Sequence, residues 1–224
     1  MESAQSRDAV LSPARMPTLL ERFLAFSLCG FIRLATGVRT IGHAIDTNRL
    51  PCVFYANHSS HGDFLLIWSS LPPDVRINTR PVAAAEYWIR GPLRRYLAAN
   101  VFNSVLIERS PQAHHDNPVD SMLAALHQGS SLILFPEGTR NAQDELLPFK
   151  SGIFRLAEKN SSLVFIPVWI ENINRVLPKG GLLPVPLLCT LHFGPAQCYE
   201  PGEARQSFLN RLREALQALA PDGR

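Results

Sequence analysis

Two short apolar runs, each ending in a polar turn that carries charge, constrain this chain more than any other feature. The first, Cys52-Val53-Phe54-Tyr55-Ala56, leads into Asn57-His58-Ser59-Ser60-His61-Gly62-Asp63. The second, Ser131-Leu132-Ile133-Leu134, leads into Phe135-Pro136-Glu137-Gly138-Thr139-Arg140. Short apolar runs bounded by turn residues read as buried strands, and open α/β sheets gather reacting groups at the ends of such strands. The two turns predict a histidine base with a carboxylate orienter, beside a site for an anionic substrate.

The rest of the chain keeps the same rhythm. Strands are predicted over 51–56, 104–108, 131–135, 163–169 and 188–193, and helices over 62–71, 86–99, 118–128, 151–159 and 203–219. Asn117 and Pro118 suit the cap and first turn of one helix, and Gly129 its end. Phe208, Leu209, Leu212, Leu216 and Leu219 fall on one face of the last. This alternation predicts an α/β fold: a single domain with a mostly parallel central sheet flanked by helices. A chain of 224 residues, 46% hydrophobic, has material for one sizeable core.

Ahead of this domain, at 41–224, lie a polar tail over 1–16 and a strongly apolar segment over 17–40. Only ten uncharged residues separate Arg22 from Arg33, about half of the ~20 needed to cross a bilayer. A signal peptide is disfavoured, because the segment starts late and Glu2 and Asp8 precede it. On a helix, Arg15, Arg22 and Arg33 fall within about 20° of one line. The segment therefore reads as an amphipathic, membrane-associated helix lying in the interface, its arginines toward the head groups and its Phe and Leu among the acyl chains. The alternative is a helix packed on the protein's own sheet with a thin solvated edge.

A net charge of +3 gives no argument for a nucleic-acid partner. Between Asp74 and Arg95, however, Arg76, Arg80, Arg90, Arg94 and Arg95 face only Asp74 and Glu86. That stretch reads either as a solvated helix face or as a surface for anionic head groups or cofactor phosphates. The four cysteines show no paired spacing; they read as reduced, which fits a cytosolic face.

His58 and Asp63 carry the chemical argument. If a helix opens near Gly62, the aspartate sits in its first turn and can hold the imidazole of the preceding loop in one tautomer. The other ring nitrogen is then free to take a proton from a hydroxyl. His61 opens a second reading, in which His58, His61 and Asp63 are metal ligands of a hydrolase. At the second turn, Arg140 offers a planar fork for phosphate or carboxylate. Glu137 either orients that arginine or accepts a substrate hydroxyl, and Gly138 lets backbone approach a ligand. Arg109, after Val105-Leu106-Ile107-Glu108, adds a second cation at a strand end. The Gly-x-Ser-x-Gly elbow, the phosphate-binding Gly-x-x-x-x-Gly-Lys-Ser/Thr loop and Gly-x-Gly-x-x-Gly are all missing.

With these residues in view, the sequence resembles the glycerolipid acyltransferases, the family of bacterial 1-acylglycerol-3-phosphate acyltransferase. Four ordered blocks carry the resemblance over roughly residues 50 to 170. They are the His58-to-Asp63 block, Leu106-Ile107-Glu108-Arg109, Phe135-Pro136-Glu137-Gly138-Thr139-Arg140, and Ile166-Pro167-Val168-Trp169-Ile170. Pro148-Phe149-Lys150-Ser151-Gly152 follows the third at its usual place, and Glu108 stands where the family more often has aspartate. The resemblance implies an acyltransferase domain over 41–224. It would move an acyl chain from acyl-CoA or acyl carrier protein, as co-substrate and without a cofactor, to a lysophospholipid hydroxyl. The acceptor would most simply be 1-acylglycerol-3-phosphate, giving phosphatidate. His58 would be the base and Asp63 its orienter. Arg109, Glu137, Gly138, Thr139 and Arg140 would hold the acceptor, and Pro167 would belong to the acyl-donor or apolar site. The implied location is peripheral, on the cytoplasmic face of the cell membrane. A metal-dependent hydrolase and a non-catalytic lipid-binding protein are the competing readings.

Overall fold

Every residue of the strand Cys52–Ala56 is buried, and its side chains divide between two cores. Side chains alternate across a strand, so Cys52, Phe54 and Ala56 enter one core while Val53 and Tyr55 enter the other. The structure, a computed structural model, describes residues 17–108, 117–141, 143, 145–171 and 188–221. The predicted tail over 1–16 lies outside them, as does Arg109.

The strands are β1 (Arg39–Gly42), β2 (Cys52–Ala56), β3 (Thr79–Ala84), β4 (Val105–Ile107), β5 (Ser131–Leu134), β6 (Val164–Glu171), β7 (Thr190–Phe193) and β8 (Gln197–Cys198). They form one sheet in the order β1-β7-β6-β2-β5-β3-β4, with β8 on β6. All pairings are parallel except those of β6 with β7 and β8. The helices are α1 (Leu19–Thr36), α2 (Asp63–Ser70), α3 (Pro73–Ile77), α4 (Ala85–Trp88), α5 (Pro92–Tyr96), α6 (Pro118–His127), α7 (Gly152–Lys159) and α8 (Arg205–Gln217). On one face of the sheet, α1 and α2 cover Phe54, Ile133, Ile166 and Leu191. On the other, α6, α7 and α8 cover Tyr55, Leu132, Phe165 and Trp169 with Met122, Leu156, Phe208 and Leu212. The Tyr55 hydroxyl reaches across that second core to donate to the Leu212 carbonyl at 3.1 Å.

The predicted helix over 86–99 is broken into α4, α5 and a π-helical turn at Leu97–Val101. Pro92 has no N–H to continue the preceding turn, and Gly91 adopts φ 111°, which ends α4 and restarts the chain at α5. The arginine-rich stretch is likewise not one solvated face. Arg80 lies in β3, buried, its Nε donating to the Asn103 carbonyl at 2.6 Å. Arg76 sits over the Trp68 ring and Arg94 over Tyr87.

Helix α1 starts with a capping box between Thr18 and Glu21 and ends at Gly37 in the left-handed region. Its inner face, with Leu28, Cys29 and Ile32, packs into the first core. Its outer face exposes Leu19, Leu20, Phe23, Phe26, Phe31 and Leu34, the last at 87%. The helix thus packs on the protein yet presents an apolar surface where a solvated edge would be polar. Arg33 does not extend outward as predicted: Nε and Nη2 both donate to the Ser69 carbonyl, at 3.2 and 2.8 Å. That carbonyl lies in the last turn of α2, where acceptors lack helical donors and attract a cation. Among the described residues no helix is long and apolar enough to cross a membrane.

Candidate active site

Strands β2 and β5 are parallel neighbours, with Tyr55 in register with Leu134, so the turns that follow them emerge side by side. The two turns are then tied together by backbone. The His58 N–H donates to Glu137 Oε1 at 3.0 Å, and the His58 carbonyl accepts from the Asn141 N–H at 2.6 Å. The His58 ring stacks on Phe135 with centroids 4.2 Å apart. Asn57 fastens the same turn to β6: its Nδ2 donates to the Ile170 carbonyl at 3.0 Å and its Oδ1 accepts the Ile170 N–H at 2.7 Å. The histidine is therefore fixed by both neighbouring strands before any side-chain chemistry is considered.

Asp63 is the first residue of α2 and is fully buried. Its Oδ2 lies 2.8 Å from His58 Nδ1 and accepts the N–H groups of Ser59 and Ser60 at 2.7 and 2.9 Å. An oxygen that already accepts two backbone donors, at the positive end of a helix, is an acceptor for the ring as well. The proton accordingly belongs on Nδ1, and Nε2 carries the lone pair. His58 lines an adjoining cleft of about 760 Å³, within the size range of small-molecule sites. The five-residue spacing predicts this contact between His58 and Asp63.

Glu137 is placed differently from its predicted position on a substrate or on Arg140. It is 1% exposed and does not line the cleft. Its Oε1 is taken by the His58 N–H, and its Oε2 by the Leu147 N–H at 3.0 Å and Asn141 Nδ2 at 3.3 Å. Glu137 is a clamp on the histidine turn. Gly138 does line the cleft; its φ is +71°, and a Cβ there would meet Lys150 Cγ at 3.1 Å. Thr139 is exposed and outside the cleft lining. Pro167 is buried within β6, opposite Tyr55, and also does not line the cleft.

Arg140 lines the cleft with an exposed side chain, and its Nη1 lies 2.6 Å from His61 Nε2. His61 in turn stacks on Tyr87, centroids 4.8 Å apart. The three candidate metal ligands do not converge, since His58 Nδ1 meets Asp63 while His61 Nε2 meets a guanidinium. Among the described residues no group of three or more His, Cys, Asp or Glu is placed to hold a metal ion. Much of the remaining wall is apolar, with Val82, Ile107 and Leu134 from the sheet and Val119, Met122 and Ile153 from α6 and α7. Lys150 and Arg155 add positive charge to the lining.

Asn57 and Tyr87 have no assigned role in the sequence reading, and His61 has only that of a candidate metal ligand. A signal for Asn57 was available: an amide carries the donor and the acceptor that a neighbouring strand end needs. For His61 and Tyr87 there was none, because their meeting depends on how α4 returns beside the first turn.

The sequence matches the family model described as Acyltransferase over residues 38–171. It is 30% identical over 173 residues to the 1-acyl-sn-glycerol-3-phosphate acyltransferase of Cocos nucifera, covering 76% of this chain and 53% of that protein. It is 32% identical over 148 residues to the protein of the same name from Limnanthes alba, covering 64% and 49%. The chain thus spans about half the length of these curated relatives. The crystal structure of the 1-acyl-sn-glycerophosphate (LPA) acyltransferase PlsC from Thermotoga maritima shares the fold, with a TM-score of 0.66 and 19% identity over 89% of this chain and 79% of that one. With its matched region running from β1 to the end of β6 and enclosing both turns of the cleft, this chain belongs to the acyltransferase family.

Proposed function

We propose that this protein transfers a fatty acyl chain from a thioester donor, acyl-CoA or acyl carrier protein, to the free hydroxyl of 1-acylglycerol-3-phosphate, giving phosphatidate. The observation that carries the reading is the His58–Asp63 pair, with Oδ2 also accepting two backbone donors and His58 at the cleft wall. Nε2 takes the proton of the acceptor hydroxyl as its oxygen bonds to the thioester carbonyl carbon. The tetrahedral adduct then expels the thiolate, which recovers that proton from His58. No covalent enzyme intermediate is needed. Asp63 keeps the imidazole in the productive tautomer and offsets the charge it gains. A base so placed contributes about 10²- to 10⁴-fold, and holding both substrates in line supplies much of the rest.

The cleft favours these substrates chemically. Its apolar walls suit an acyl chain, and Arg140 offers a fork to a phosphate. The relatives from Cocos nucifera and Limnanthes alba, both 1-acyl-sn-glycerol-3-phosphate acyltransferases, favour the same acceptor. Glu137 acts in this scheme by positioning His58, and Arg109 and Thr139 are reserved for acceptor contacts made with substrate bound. The protein works peripherally at the cytoplasmic face of the membrane, with the exposed apolar outer face of α1 in the acyl region. Purified protein in detergent, given radiolabelled acyl donor and lysophosphatidate, is expected to form labelled phosphatidate. Labelled free fatty acid in its place would favour a hydrolase. Replacing Phe23, Phe26 and Phe31 by Ser is expected to release the protein from sedimenting vesicles; unchanged sedimentation would remove α1 as the anchor.

A further inference from the structure

The most unusual contact in the cleft is between two groups that are ordinarily read as cations. Arg140 Nη1 lies 2.6 Å from His61 Nε2. A guanidinium has donors only and stays charged, so the histidine nitrogen must accept. His61 is then a neutral imidazole with its hydrogen on Nδ1, and Arg140 spends one donor on it. Its ring is held in turn by stacking on Tyr87, with planes 18° apart, and the Arg94 guanidinium sits 4.7 Å from the same Tyr87 centroid. Both His61 and Arg140 line the cleft on the side of His58.

We infer that His61 is a positioning residue for the acceptor's phosphate: it fixes the direction of the Arg140 fork, with Tyr87 bracing its ring. The inference rests on the proposed phosphate contact of Arg140 and adds the residue that sets it. An exposed arginine on a turn has many rotamers to lose when it binds an anion, and a pre-formed hydrogen bond removes part of that cost in advance. With one edge donor committed to His61, the remaining N–H groups of the fork are presented in a fixed plane, which suits bidentate binding of a phosphate. Burial and the neighbouring charges of Arg140 and His58 lower the tendency of His61 to protonate, which keeps it an acceptor. His61 thus belongs to head-group recognition and not to proton transfer, and its effect reaches substrate only through Arg140.

Two substitutions separate acceptor from ring. His61→Phe keeps an aromatic face for Tyr87 and removes the acceptor; His61→Gln loses the stack but can return an oxygen near the position of Nε2. Titrating a short-chain lysophosphatidate into each full-length protein is expected to show binding weakened about five- to tenfold in H61F, the scale of one ordinary hydrogen bond, and largely restored in H61Q. In steady-state transfer the loss is expected in acceptor KM and not in kcat. Adding H61F to Arg140→Ala is expected to cost nothing more, because the route is already cut. Unchanged binding in H61F, equal loss in H61Q, an additive loss beside R140A, or no lysophosphatidate binding by wild type would each overturn the inference. Intact wild-type binding without acyl transfer would overturn the proposed reaction alone, because the pattern among the variants is read from binding.

Discussion

The two sides of the cleft are built to different standards of rigidity. On the His58 side the turn is held from several directions: the ring by Asp63, the backbone by Glu137 and Asn141, and Asn57 by β6. Asp63 and Glu137 are both buried. On the Arg140 side the side chains are exposed and Arg140 is held through His61, itself resting on Tyr87. Proton transfer tolerates little misplacement, because its rate depends on hydrogen-bond distance and on the correct tautomer. Anion binding tolerates more, since Coulomb attraction varies slowly with distance. The difference assigns rate to the buried side and affinity to the exposed one.

That division can be broken by experiment. Asp63→Asn has the largest expected effect short of removing the base. The amide no longer selects the Nδ1–H tautomer, and kcat is expected to fall about 10³- to 10⁴-fold with acceptor KM little changed, the scale of a misassigned tautomer in a histidine–aspartate pair. A D63N enzyme within tenfold of wild type would remove the orienter. Glu137→Ala is next: it strands the buried N–H groups of His58 and Leu147, at a cost of about 2–4 kcal/mol in stability. Chemical denaturation would read that loss. A stable E137A protein with a raised acceptor KM would instead return Glu137 to the substrate. Arg140→Ala is the smallest, with acceptor KM raised about tenfold as one charged contact is lost. A fallen kcat with unmoved KM in R140A would erase the contrast between the two sides.

How much of this was legible in the sequence varies with how local the cause is. Strands β2 and β5 were legible because they are continuously apolar between turn residues, and the His58–Asp63 pair because a loop residue and a helix's first residue five apart are close in any such turn. β3 was missed because Arg80 and Pro81 interrupt it; only the fold shows that Arg80 finds a carbonyl partner while buried. Helix α1 was half legible: its apolar outer face was readable, but the contact of Arg33 with Ser69 depends on where α2 ends. Glu137 was assigned to the cleft from its residue type, whereas parallel pairing turns it inward beneath His58. Pro167 lies on β6 beside β2 and packs against the Gly194 region, a placement set by register and not by the local sequence.

The most direct test of the account replaces His58 itself. Wild type and His58→Ala, with matching circular dichroism and thermal unfolding, would be compared for phosphatidate formation from labelled acyl-CoA and lysophosphatidate, with acyl carrier protein as a second donor. The account predicts phosphatidate from wild type, and in H58A a kcat lowered at least about 10³-fold with lysophosphatidate binding retained. Near-wild-type turnover by a folded H58A protein would contradict it, since Nε2 would then not be the atom that takes the proton.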